Sequence, residues 1–343
     1  MSDNGQGEHE RIEDVVIVGS GPAGYTAALY TARSDLEPLL VEGFLAGGLL
    51  QLTTDVENYP GFPEGVMGPE LMDSFRAQAE RFGTRFITED ATRLELSPDG
   101  GIHSVFVDER EIRARTVVLA MGAEALKLGV PGEEELAARG VSYCATCDAA
   151  FFRDKATIVV GGGDTAMEDA IFLSKFANKV TLIHRRSEFR ASAIMADRAR
   201  AIENIEIKTP FVVERFESDG DGPLAAAVLR NVEGGAEERL GIEGAFIAVG
   251  HRPNSALVEG QVDLDENGYV ITEGKSTRTK LAGVFAAGDL VDHTYRQAVT
   301  AAGSGCQAAL DAEAYLRDAP PDPEAHWSSD PVVVEAAAEA AAG

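Results

Sequence analysis

Apolar residues are spaced along this chain in two ways. Short unbroken runs, Asp14-Val15-Val16-Ile17-Val18, Pro38 to Val41, Val117-Val118-Leu119-Ala120, Ala156-Thr157-Ile158-Val159-Val160, Val180-Thr181-Leu182-Ile183, Phe246-Ile247-Ala248-Val249 and Val284-Phe285-Ala286-Ala287, show no polar alternation. Runs of this kind are strands covered on both faces, as in a parallel sheet. Between them lie stretches with helical spacing: Pro22 to Arg33, Gly68 to Phe82, Asp164 to about Ala177, and a small-residue stretch after Arg296-Gln297-Ala298 through Ala314. Arg93 to Val107 reads as a hairpin broken at Pro98-Asp99-Gly100-Gly101. Strand and helix in alternation predict an α/β fold of Rossmann-like units.

Two strand endings carry a complete nucleotide loop. Gly19-Ser20-Gly21-Pro22-Ala23-Gly24 stands between the first strand and its helix, where glycines let backbone approach a pyrophosphate and the helix N-terminus faces its charge. Glu42 closes the next strand, 18 residues past Gly24, where an acid suits the ribose hydroxyls of an adenosine. The pattern restarts at Ala156 and brings Gly161-Gly162-Gly163-Asp164-Thr165-Ala166, with Ala166 in the third glycine position. Two units mean two dinucleotides. The second unit's next strand ends in His184-Arg185-Arg186, with Arg190 beyond. Guanidiniums fork onto a phosphate where an acid would hold a free 2′-hydroxyl, which selects NADPH over NADH. His184 reads as a structural or phosphate neighbour and not as a base.

Before the second loop stands Cys144-Ala145-Thr146-Cys147-Asp148. Two thiols at this spacing close a small disulfide, and the carboxylic acid beside them can carry a proton, the equipment for disulfide exchange. Half a zinc site has the same spacing, but the one other cysteine is Cys306 and no His pair stands near at ligand spacing, so no metal is expected. Cys306, in a small-residue helix, reads as packing. Three cysteines used this way fit a reducing compartment with a transient, catalytic disulfide.

The 343 residues, 45% of them apolar, are enough for two cores. No run approaches the roughly 18 apolar residues of a membrane span, and the polar start from Met1 to Asp14 lacks a signal peptide's features, so a cytoplasmic protein without membrane contact is expected. The net charge is -27, and seven of the 30 basic residues are Lys. Nucleic acid is thereby excluded as a partner. Dense carboxylates with few lysines resemble the surfaces of proteins from salt-loving archaea, kept hydrated while salt screens their repulsion.

Further along, Gly288-Asp289 ends a strand where an acid can accept from a polyol, and Arg296 and Gln297 near a helix start can bond a heteroaromatic ring. The second unit and the cysteine pair lie between two Gly-ended strands, as an insertion. The plan is a first domain in two parts, 1–123 and 251–317, an inserted domain, 124–250, and an acidic Ala- and Pro-rich tail, 318–343. The cysteine pair and the second loop share the inserted domain, so both cannot meet the first domain's cofactor at once. Rotation about hinges near Glu124 to Pro131 and Val249 to Asn254 is therefore expected.

With Val56-Glu57-Asn58, Phe189-Arg190-Ala191 and Tyr295-Arg296-Gln297-Ala298 added to the two loops, the Cys pair and Gly288-Asp289, the chain resembles the low-molecular-weight thioredoxin reductases over roughly Val15 to Leu316. The resemblance implies FAD in the first domain, at Gly19, Gly21, Pro22, Ala23, Gly24, Glu42, Gly48, Gln51, Asn58, Gly288, Asp289, Arg296, Gln297 and Ala298. It implies NADPH in the inserted domain, at Gly161, Gly163, Asp164, Thr165, Ala166, His184, Arg185, Arg186 and Arg190. It further implies a homodimer, thioredoxin as disulfide substrate, Cys144 and Cys147 as the redox pair with Cys147 nearest the flavin, and Asp148 as the proton-transfer group. Three positions depart from the family pattern: Leu49-Leu50 precede Gln51 where Gln usually follows Gly-Gly directly, Ala149 replaces a Gly, and Met121 replaces a Thr. Two alternatives share the motifs: a reductase of the same build serving the dithiol carrier of a peroxide-reducing system, and a flavin redox sensor that does not cycle.

Overall fold

A computed structural model describes residues 11–318. The start of the chain to residue 10 and the tail expected beyond Asp318 lie outside the described residues. Strand β1 (Ile12–Val18) passes through the first glycine loop into helix α1 (Pro22–Arg33) and returns as β2 (Leu39–Val41). A small hairpin, β3 (Asp55–Val56) and β4 (Val66–Met67), leads to α2 (Gly68–Arg81), β5 (Arg85–Ile87), β6 (Arg93–Glu95), β7 (His103–Val107) and the long β8 (Arg110–Leu119). The stretch from Gly43 to Pro69, featureless in sequence, also holds a short 3-10 turn at Gly48–Leu52.

The first sheet runs β5-β2-β1-β8, all parallel, while β7 and β6 add antiparallel to the front of β8. Strand β8 therefore serves two sets of partners. Its polar-alternating front, Arg110 to Ala114, pairs β7, and its apolar end pairs β1. The two faces of β1 feed two cores. Val15 and Ile17 pack with Tyr25, Leu40 and Leu71, and Val16 and Val18 pack with Val105, Ile112 and Val117. Each such fully buried branched side chain contributes about 1.5–3 kcal/mol.

Strand β9 (Ala123–Ala125) then leads into the insertion: β10 (Val141–Ser142), α3 (Ala145–Asp148), β11 (Ala156–Gly161), α4 (Asp164–Leu173), β12 (Lys179–Ile183), α5 (Ala193–Arg200), β13 (Ile205–Lys208), β14 (Phe211–Ser218), β15 (Leu224–Asn231), β16 (Glu237–Gly241) and β17 (Gly244–Ala248). Its parallel sheet has the order β10-β17-β11-β12-β13, and β14-β15-β16 form a separate antiparallel sheet. Helix α4 stops short of Ala177: the Leu173 carbonyl accepts from the Phe176 and Ala177 amides, both at 2.9 Å, in a closing turn, and Asn204 Nδ2 donates to the carbonyls of Ser174 and Ala177 just past it, both at 3.0 Å. The chain leaves by β18 (His251–Pro253), which pairs antiparallel with β9, so the two crossings lie side by side. On the inserted side the Leu128 and Gly129 amides donate to the buried Glu133 carboxylate at 2.9 and 2.7 Å, which ties this end of the crossing down. Strand β19 (Val284–Ala286) rejoins the first sheet beside β8, and α6 (Ala298–Asp318) packs along α1.

Candidate active site

The first loop uses its glycines for two different purposes. A Cβ on Gly24 would run into the carbonyl oxygen of Gly19, and one on Gly19, at φ 103°, into that of Ala120; these two glycines let α1 sit against the strands. A Cβ on Gly21 would meet nothing within 4 Å, so the backbone there faces open space. Helix α1 begins at that point with Pro22 in its first turn, no side-chain cap and no acid in the first turn, so its orphan N–H donors point into the same space. Across from it Gly288, at φ 72°, comes close to Ala23, and Asp289 Oδ1 is buried with no hydrogen-bond partner. Burial, with Asp292 nearby, pushes the Asp289 carboxyl up to about 6. A buried acceptor of this kind needs a donor, and hydroxyls of a dinucleotide lying over Gly21 would supply it.

Glu42 lies elsewhere. Its carboxylate has no exposed surface and accepts from Tyr25 Oη (2.8 Å), Arg76 Nε (2.7 Å), Arg76 Nη2 (3.3 Å) and Thr88 Oγ1 (2.8 Å). Four bonds fill the four lone-pair positions, and none is left to turn toward a ribose. Here the acid expected to hold a ribose instead clamps the end of β2 to α1 and α2. Ser20 Oγ joins this frame to the glycine pair, donating to the Glu42 carbonyl (2.6 Å) and accepting from the Gly47 amide (2.9 Å). Gly48 has φ 64°, the Gln51 side chain folds back over Gly47, and Leu49 is exposed.

The second loop repeats the division of labour. Gly161 gives room to the Ala166 methyl, Gly162 to the His184 ring, and Gly163 faces open space. His184 is buried, stacked on Phe189 with centroids 5.2 Å apart, and Nε2 is 3.1 Å from the Glu188 carbonyl. Burial first, then Arg186, Arg190 and Arg185, hold its pKa below the usual value. The three arginines are exposed, and none has a carboxylate within 4.0 Å among the described residues. Asp164 accepts from the Ser192 amide (2.8 Å) and hydroxyl (3.1 Å), and Thr165 is exposed beside it on the first turn of α4.

Cys144 and Cys147 form a disulfide. Cys144 Sγ accepts from the Cys147 amide at 3.2 Å and has the Thr146 hydroxyl at 3.4 Å. The pair is carried by the inserted unit but faces the first. Gln297 Nε2 stands 3.9 Å from Cys144 Sγ and donates to Thr146 Oγ1 at 3.1 Å, while Gln297 Oε1 accepts from Asn58 Nδ2 at 3.2 Å. Asp148 is half-buried; burial pushes its carboxyl up, against a smaller opposing effect of the Ser142 hydroxyl. Arg296, at φ 46°, is held by its amide on Asp292 Oδ2 (3.0 Å). Hydrogen bonds thus bring Cys144, Gln297 and Asn58 together, with Cys147 and Asp148 following Cys144 on α3 and Arg296 and Ala298 flanking Gln297 in the chain, while Gly21 and Asp289 lie in the first unit and the arginine cluster at the second loop.

A family profile described as pyridine nucleotide-disulphide oxidoreductase matches residues 13–305. The chain belongs to that family. A thioredoxin reductase of Mycolicibacterium smegmatis is 56% identical over 309 residues, covering 90% of this chain and 98% of that protein. A bifunctional thioredoxin reductase/thioredoxin of Mycobacterium leprae is 54% identical, covering 90% of this chain and 67% of that protein. Among solved structures, thioredoxin reductase from Streptococcus pyogenes superposes with TM-score 0.84 at 40% identity, covering 89% of this chain and 98% of that one. Lactococcus lactis thioredoxin reductase, described as in the FR conformation, has TM-score 0.62 at the same 40% identity, covering 90% and 100%.

Three partners that complete the geometry, Thr146, Ser142 and Arg76, escape a reading of the sequence. Only Thr146 carries a signal there, as the one hydroxyl between the cysteines. Among the described residues no cluster of three or more His, Cys, Asp and Glu side chains is placed to hold a metal, and no helix is long and apolar enough to cross a membrane.

Proposed function

We propose that the chain catalyses the reduction of thioredoxin disulfide by NADPH, with FAD in the first unit and the Cys144–Cys147 pair as the exchanging disulfide. The observation that carries this reading is the seating of an oxidised C-x-x-C against Gln297 of the first unit, the same unit whose buried Asp289 oxygen lacks a partner. When bound, FAD supplies the two-electron link between a nicotinamide and a disulfide. Gly19, Gly21, Pro22, Ala23, Gly24, Gly48, Asn58, Gly288, Asp289, Arg296, Gln297 and Ala298 would hold it. Gly161, Gly163, Asp164, Thr165, Ala166, Arg185, Arg186 and Arg190 would hold NADPH, with His184 shaping the loop beneath them.

Asp148, its pKa raised by burial, adjoins Cys147 in the chain and is placed to pass a proton to and from the Cys147 sulfur. The net change is NADPH, a proton and a disulfide going to NADP⁺ and a dithiol. The inserted unit, 124–250, then turns on the β9–β18 crossing to bring its dithiol to the partner. At equal identity the superposition falls from 0.84 to 0.62, as it would for units differing in arrangement more than in internal structure, and this supports a second orientation. The M. leprae relative's bifunctional name supports thioredoxin as partner over another dithiol carrier. The same reading has the chain work as a cytoplasmic homodimer, with an acidic surface suited to high salt.

The test is turnover of NADPH against NADH with thioredoxin, in wild type and Cys147→Ser. NADPH-selective turnover that vanishes in the variant is the expected result. Bleaching of the flavin without recolouring by thioredoxin would favour the non-cycling sensor, and turnover surviving the substitution would remove the cysteine pair from the reaction.

A further inference from the structure

Thr146 is exposed, and its hydroxyl lies between the disulfide and the first unit. Its neighbours fix the direction of the hydrogen bonds through it. Gln297 Nε2 lies 3.2 Å from the Tyr295 carbonyl and 3.1 Å from the Arg296 carbonyl, so the nitrogen end of the amide must face this side, because an amide oxygen would be repelled by both. Its oxygen end then accepts from Asn58 Nδ2 at 3.2 Å, and its nitrogen, with two protons shared among the two carbonyls and Thr146 Oγ1 at 3.1 Å, can only donate to that hydroxyl, never accept from it. The Thr146 oxygen is an acceptor in that bond, which frees its proton. Cys144 Sγ, 3.4 Å away, has no proton of its own in the disulfide and receives it. Every donor points the same way: Asn58 to Gln297, Gln297 to Thr146, Thr146 to sulfur.

We infer that the Thr146 hydroxyl is the last link of a hydrogen-bond relay that stabilises Cys144 as the departing thiolate when the disulfide is reduced. Two electrons entering the pair break the Sγ–Sγ bond. With one proton taken up, the products are a Cys144 thiolate and a Cys147 thiol; the electrons come from the dihydronicotinamide of the proposed reaction, and the proton comes from solvent by way of Asp148. The thiolate keeps the Cys147 amide donor at 3.2 Å and gains a stronger bond from Thr146, because a charged acceptor strengthens it and each upstream donor polarises the next. Two of the three links, Asn58 and Gln297, belong to the first unit. Rotation of the inserted unit takes them away, so the same thiolate becomes more basic, and hence a better nucleophile, once it faces the partner disulfide. This assignment rests on the reading of the pair as an exchanging disulfide, but its test does not need thioredoxin.

The experiment uses the FAD-loaded protein with Cys147→Ser, which leaves Cys144 as a lone thiol of the pair. Alkylation of Cys144 by iodoacetamide is followed against pH, with the modified peptide identified by mass so that Cys306 does not contribute. Thr146→Val keeps the shape and removes the hydroxyl; Thr146→Ser keeps the hydroxyl. The Val variant should show a thiolate fraction at pH 7 about three- to tenfold lower than its parent, the size of one lost hydrogen bond to sulfur, and the Ser variant should restore it. A Val variant that titrates with its parent, or a Ser variant that titrates with Val, overturns the inference. Failure of thioredoxin turnover with the Val shift intact would instead count against the proposed reaction alone.

Discussion

The two nucleotide loops share a backbone plan and differ at the end of the second strand of each unit. In both, one glycine admits the helix and another, Gly21 or Gly163, faces open space. In the first unit the strand ends in Glu42, buried and with every lone pair used by Tyr25, Arg76 and Thr88. In the second it ends in a buried His184 with exposed Arg185 and Arg186 beyond, free of carboxylates within ion-pair distance among the described residues. One unit commits its strand-end charge to internal structure, and the other leaves it for a ligand. On a chain of net charge -27, guanidiniums with no carboxylate in ion-pair contact among the described residues are the opposite of a default solvated surface.

The largest effect should come from exchanging the roles of the glycines. Gly24→Ala puts a methyl into the Gly19 carbonyl, with backbone on both sides and nothing flexible to yield, so a loss of about 3 kcal/mol or more is expected in urea unfolding. Gly163→Ala, with nothing within 4 Å of the new methyl, should stay within about 0.5 kcal/mol in stability and lose NADPH affinity. Equal stability losses in the two variants would break the comparison.

Next in size is the acid lability that one buried histidine gives the first unit. His103 on β7 is fully buried, its Nδ1 accepts from the Ser97 amide at 3.1 Å, and its Nε2 has no partner. Burial pushes its pKa down to about 4. The unfolded chain takes up this proton near pH 6.5 and the folded one only near pH 4, so the stability is complete above pH 6.5 and is lost as pH falls through that window. The loss totals about 3 kcal/mol. Unfolding at pH 7 and pH 4.5 should show a smaller drop in His103→Gln than in wild type; an equal drop would mean that the acid sensitivity lies in other groups, such as His251, which burial also holds down to about 4.

Legibility in the sequence divides along similar lines, between local patterns and long-range convergence. Helix α1 occupies Pro22–Arg33, the residues its spacing predicts, because a glycine loop, a first-turn Pro and an apolar stripe agree. Strand β8 is legible only as Val117 to Ala120, since its front half alternates Arg110, Glu111 and Arg113 with Ile112 and Ala114, and an apolar run marks only the part buried on both faces. Strand β16, whose burial alternates along Glu237–Gly241, escapes the apolar-run criterion for the same reason. Sequence position puts Glu42 at its strand end, but position does not say that Arg76 and Thr88, 34 and 46 residues away, converge on it. The Thr146–Gln297 bond, spanning 151 residues, depends on how two units meet.

The smallest of the effects tests the second half of the comparison most directly. If Arg185 and Arg186 are held for a 2′-phosphate, Arg185→Ala with Arg186→Ala should raise the KM for NADPH roughly 10- to 100-fold, the size expected on losing charge-assisted forks to a phosphate, while leaving kcat near its original value. NADH, lacking that phosphate, should lose little, so the ratio of kcat/KM for the two nucleotides falls by a similar factor. Thermal unfolding should not move, because both side chains are exposed and bear no internal ion pair to break. The converse substitution, Glu42→Gln, removes a charge from a saturated buried cluster, and its cost should appear in unfolding while nucleotide preference stays as it was. A preference that moved with Glu42 and not with the arginines would reverse the assignment, making the buried acid the selector and the exposed pair an ordinary surface.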